Sequence, residues 1–72
     1  MQYAYNMLRG RIVEKCGNQG KFTKKMGLSD RSVSMKLSGQ RQWTQKDIVR
    51  ACDVLDIPYA EIPAYFFAPE VR

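Results

Sequence analysis

The chain has 72 residues, 44% of them hydrophobic and 26% charged, which makes one folded domain with a modest core and excludes two modules or a disordered tail; a chain this short buries only about 60% of the surface it exposes when unfolded. No stretch, Pro63 to Pro69 included, approaches the roughly 20 apolar residues of a membrane helix, and Met1 to Met7 lacks the basic start and apolar run of a signal peptide, so the expected protein is cytoplasmic, with no membrane partner. The net charge of +5 is unevenly spread: residues 1–50 carry eleven basic and three acidic side chains, a net +8, and residues 51–72 carry one and four, a net −3, which suggests one face for a polyanion and another turned away from it.

Tyr5, Leu8, Ile12 and Cys16 recur at a spacing of three or four, placing them on one face of a first helix while Arg9, Arg11 and Lys15 face elsewhere. Gly17 ends that helix, and Asn18 is an N-cap for a second running from about Gln19 to Met26, with Phe22 and Met26 inward and Gly27 as its stop. Leu28 anchors a very short turn. Ser29 then caps a third helix, with Asp30 in the first turn where a carboxylate suits the helix dipole. Val33 and Leu37 form its inner face, leaving Asp30, Arg31, Ser34, Met35 and Lys36 outward, before Gly39 ends it.

Gln40 to Trp43 read as a loop, and Thr44 as the cap of a fourth helix carrying Ile48, Ala51, Cys52 and Leu55 on one face. Pro58 can open a short fifth helix that Pro63 should break or reset. No strand alternation and no internal repeat are evident. The expected class is all-α, a compact five-helix domain over residues 1–72.

The stretch from Asn18 to Gly39 is the informative one: a capped helix of two turns, a glycine-containing turn, and a second capped helix with a polar outer face. Such a pair reads as a helix-turn-helix, whose first helix rests across the sugar-phosphate backbone while the second enters the major groove. The residues Asn18-Gln19, Phe22-Thr23, Met26-Gly27-Leu28-Ser29, Val33, Leu37 and Gly39 resemble the lambda-type repressor and Cro superfamily over about residues 6–62. With Trp43-Thr44 after the third helix, the chain is similar to the small phage-associated repressor-like members.

The resemblance implies that Gln19 contacts phosphate, that Asp30, Arg31, Ser34 and Met35 face base edges, and that Ser32 lies nearer a phosphate. Two positions depart from the family pattern. Thr23 stands where alanine is usual, and Asp30 where glutamine is common; a carboxylate there is repelled by phosphates unless it accepts from a cytosine amino group or orients Arg31.

Arg31 can make the bidentate contact to guanine, against the plainer reading of a solvated surface arginine. Lys21, Lys24, Lys25, Lys36 and Arg41, with Gln40 beside them, are candidates for phosphate contacts, against an ordinary solubilising face. Trp43 is expected to pack over the core rather than stack on a base. Tyr65, Phe66 and Phe67 cannot all point inward from one short element. Either the tail 63–72 helps form a two-fold dimer, or it closes the core of a monomer.

These residues lead to the expectation of a sequence-specific transcriptional regulator, a phage or prophage repressor or Cro-like protein on double-stranded operator DNA. The alternative is a protein-interaction module, antirepressor-like or antitoxin-like, that keeps the same fold. An enzyme is not expected, nor a cofactor, a metal or a small-molecule substrate. There is no histidine, no glycine-rich phosphate loop and no paired-carboxylate motif. Cys16 and Cys52 have no evident activating base and, without histidine, form no usual zinc set; a disulfide between them is the lesser reading, and each reads better as a small buried apolar residue.

Overall fold

Leu8, Ile12 and Cys16 bury one stripe of α1 (Asn6–Cys16), and Tyr5, one residue before the helix, extends that stripe and is also buried. This computed structural model describes residues 3–69, so residues 70–72 of the tail expected as a dimer element lie outside the described residues. The Asn18 side chain accepts from the Lys21 amide at 2.8 Å and opens α2 (Gln19–Met26), which buries Phe22, Thr23 and Met26. Gly27 closes α2 at φ 71°, a left-handed conformation that glycine adopts without the Cβ clash of other residues.

Three residues separate α2 from α3 (Asp30–Leu37), whose first turn is capped by Ser29 Oγ accepting from the Ser32 amide at 3.1 Å. Thr44 starts α4 (Gln45–Leu55) through a reciprocal capping box: its hydroxyl accepts from the Asp47 amide, and Asp47 accepts from the Thr44 amide. After Pro58 the chain makes a single 3-10 turn at Tyr59–Glu61 and then α5 (Ile62–Phe66). Pro63 falls in the first turn of α5, so it resets the helix rather than ending it.

The described residues are thus all-helical, with five α-helices in an envelope of 31 × 26 × 21 Å. α1 packs on α2, α4 and α5, while α2 also supports α3 and α4. Leu8, Phe22, Val33, Leu55 and Phe66 are the largest fully buried side chains and join these helices in one core. Near the two ends of the described chain, the Ala4 amide donates to the Ala68 carbonyl at 2.7 Å beside an antiparallel bridge between Tyr3 and Pro69.

Two arginines of α1 close the C-termini of other helices. Arg9 Nη2 donates to the Leu37 carbonyl at 3.0 Å; Arg11 donates through Nε to the Leu55 carbonyl at 3.0 Å and through Nη2 to the Asp56 carbonyl at 2.8 Å. Asp56 is the one described non-glycine residue at positive φ, 56°, and terminal carbonyls left by α4 are satisfied by Arg11. Part of the basic excess of residues 1–50 therefore serves the fold. Cys16 and Cys52 are free and buried, and burial pushes the Cys52 thiol above its ordinary value.

Candidate functional site

The outer face of α3 presents Asp30, Arg31 and Ser34 to solvent, with Ser32 and Met35 half-buried. Gln19, at the first turn of α2, donates through Nε2 to Ser34 Oγ at 3.0 Å, tying the two helices together. Thr23 Oγ1 donates to the Gln19 carbonyl at 3.0 Å, so this buried threonine satisfies its hydroxyl within its own helix. Lys21, Gln40 and Arg41 are exposed near this face in sequence, and Arg41 Nη1 donates to Ser32 Oγ at 3.1 Å.

Lys36 does not join them. Expected to point outward, it is only 5% exposed: Nζ donates to Asp47 Oδ2 at 2.6 Å and to the Gln42 carbonyl at 3.0 Å, and lies 6.0 Å from the centre of the Trp43 ring. It lies next to Leu37 on the edge of the inner face of α3, and a carboxylate partner from α4 makes burial of its charge tolerable. Burial alone would raise the Asp47 carboxyl, but hydrogen bonds from Lys36 and Thr44 and the lysine charge outweigh it and hold Asp47 below the usual carboxylate value.

Beside this arrangement lies an open cleft of about 350 Å³ lined by Tyr3, Tyr5, Trp43, Phe66 and Phe67, by Ile48, and by Gly39, Arg41 and Gln42. Four of its rings pack edge to face in two pairs. Trp43 meets Phe66 at 5.2 Å between centroids and 72°, Tyr3 meets Phe67 at 5.6 Å and 90°, and Tyr5 lies 6.3 Å from Trp43. Trp43 is held by its indole N–H, which donates to the Lys36 carbonyl at 3.2 Å, and it packs against the core as expected. The Tyr5 phenol has a raised pKa, chiefly from burial and secondarily from Tyr3.

Of the three tail aromatics expected as dimer candidates, Phe66 is corrected: at 1% exposure it is a core residue, because its position on α5 turns it against α1 and α4. Tyr65 is half-buried against the core, and Phe67 stays 47% exposed, as Tyr3 does at 39%. Tyr3, Tyr5, Gly39, Gln42 and Ile48 were not among the residues singled out for the site. The aromatics near both ends of the chain were a visible signal for the two tyrosines alone.

The family described as "Protein of unknown function (DUF739)" matches residues 1–69. No curated protein matches the sequence. Among solved structures, the solution structure of the modulator of repression (MOR) of the temperate bacteriophage TP901-1 from Lactococcus lactis superposes with a TM-score of 0.84 at 44% identity, covering 100% of this chain and 97% of that one.

Proposed function

The chain belongs to the DUF739 family, and we propose that it modulates repression in a phage regulatory switch by seating a segment of a partner regulatory protein in its aromatic cleft. The observation that carries this reading is the cleft itself, where Tyr3 and Phe67 leave large ring surfaces open to solvent in a recess that Arg41 also lines. Aromatic and arginine side chains around a partly preformed recess are what a protein interface uses for its strongest contacts. Among the described residues no carboxylate lines the cleft, whereas Arg41, Gln42 and two phenols supply donors. Its occupant is therefore a segment with an apolar or aromatic anchor and a nearby carboxylate. The likeness to a phage modulator of repression runs the full length of the chain, which supports a function carried by this one domain.

Direct reading of an operator is a second reading, favoured by Lys21, Lys24, Lys25 and Arg31, which are exposed and outside every ion pair among the described residues. In that reading α2, the turn at residues 27–29 and α3 act as a helix-turn-helix of the lambda repressor kind, with Arg31 at a base edge and Lys21, Ser32 and Arg41 at phosphates. It ranks second because α3 offers base edges a single exposed cation beside the acidic Asp30, and because Ser34 is already engaged by Gln19.

Chemical-shift mapping on the labelled chain separates the two. Titration with a phage repressor should move the resonances of Tyr3, Arg41, Trp43 and Phe67 and leave Arg31 and Ser34 in place. If only an operator duplex perturbs the spectrum, and does so at Gln19, Arg31 and Ser34, the cleft reading is wrong.

A further inference from the structure

One wall of the cleft has no regular secondary structure: Gly39, Arg41, Gln42 and Trp43 all come from the connection between α3 and α4. Its shape is fixed from beneath by Lys36. The ammonium donates to the Gln42 carbonyl at 3.0 Å and to Asp47 at 2.6 Å, and the carbonyl of Lys36 accepts from the Trp43 indole at 3.2 Å. Two more hydrogen bonds, from the Gln40 and Arg41 amides to the Met35 carbonyl at 2.9 and 3.2 Å, fold the segment back over the end of α3.

Burying two charges, with side chains 6% and 16% exposed, is a costly way to join two helices. Apolar residues of the same volume usually hold such a junction as well or better, so stability alone does not account for the pair. Directional contacts do. An ammonium with one donor on a loop carbonyl and another on the carboxylate of a helix cap defines where the loop lies relative to both helices, which apolar packing would leave loose.

We propose that Lys36 and Asp47 are positioning residues for the cleft: their pair fixes the segment between α3 and α4 and thereby seats Trp43 against the aromatic rings and Arg41 in the cleft wall. The role as part of an interface rests on the reading that the cleft takes a partner segment; the positioning itself is a property of the chain alone.

The test is hydrogen exchange on the full ¹⁵N-labelled chain for the variants Lys36→Met, Asp47→Asn and Thr44→Ala. Met keeps the length of the lysine stem, Asn keeps an acceptor for the Thr44 amide, and Thr44→Ala weakens the helix cap while sparing the ion pair. Lys36→Met and Asp47→Asn should lose protection at the Trp43 indole N–H and at the Gln40 and Arg41 amides, with the amides of α1 and α2 protected as in the wild type. Thr44→Ala should keep the loop protected.

Unchanged loop protection in the pair variants, or equal loss in Thr44→Ala, would reduce the pair to a helix cap and overturn the proposal. Should Lys36→Met fail to fold, Asp47→Asn reads the same outcomes. Because no partner is present, failure here leaves the partner reading standing, and failure of a repressor to bind leaves the positioning result standing.

Discussion

Arg41 donates to Ser32 at 3.1 Å while lining the aromatic cleft, so one residue borders both the outer face of α3 and the recess beside it. A carboxylate entering the cleft and a phosphate approaching α3 would draw on the same group. Arg41→Ala should weaken binding of an acidic partner by about 1.5–3 kcal/mol, the usual range for a hydrogen bond to a charged group. Calorimetry of the repressor complex measures this, and an unchanged affinity would detach Arg41 from the interface.

Phe66 and Phe67 are adjacent in sequence but opposite in exposure. Phe66→Ala removes a fully buried ring and should cost about 3–5 kcal/mol of stability. Phe67→Ala, at a side chain left 47% exposed, should cost about 1 kcal/mol or less and yet impair partner binding. Urea unfolding of both variants distinguishes them; equal losses would place Phe67 in the core.

Arg11 holds the last turn of α4 through two carbonyls. Its replacement by alanine leaves those acceptors to water and should destabilise the fold by about 1–3 kcal/mol, with early exchange at the C-terminal amides of α4. Arg11 also meets Glu14 at 2.9 Å, but that glutamate is largely exposed, so Glu14→Ala should have little effect on thermal unfolding.

The Asp47 carboxyl is held below its ordinary value in the folded chain. Its contribution to stability is therefore complete above the unfolded pKa of about 3.9 and is lost as pH falls through the lower folded value. The stability difference between wild type and Asp47→Asn should be constant from pH 7 to 5 and shrink below pH 4. Thermal melts across that range give the answer, and a difference independent of pH would show that the carboxylate charge is not involved.

Local chemistry made most of the helices legible. Asn18, Ser29 and Thr44 lie at the caps expected of them because a cap depends on a few neighbouring residues. Lys36 was misplaced because its position on the edge of a helical face is ambiguous and its partner, Asp47, lies on the next helix. The reciprocal bond from the Thr44 amide to the Asp47 carboxylate was open to reading in the spacing, but the salt bridge depends on how α3 and α4 pack. The cleft escaped for a larger reason: its rings come from residues 3, 5, 43, 66 and 67, brought together by helix packing around the core and by the Ala4–Ala68 pairing near the two ends of the described chain. Periodicity identifies which face of a helix is buried, but not which exposed rings from distant segments will share a recess.

Operator occupancy by a phage repressor, read by fluorescence anisotropy of a labelled duplex, tests the partner reading most directly. The wild-type chain should shift the binding curve of the repressor, and Phe67→Ala should shift it much less at equal concentration. A chain that binds the operator on its own with sequence preference, loses that binding on Arg31→Ala, and leaves the repressor curve unmoved would contradict it.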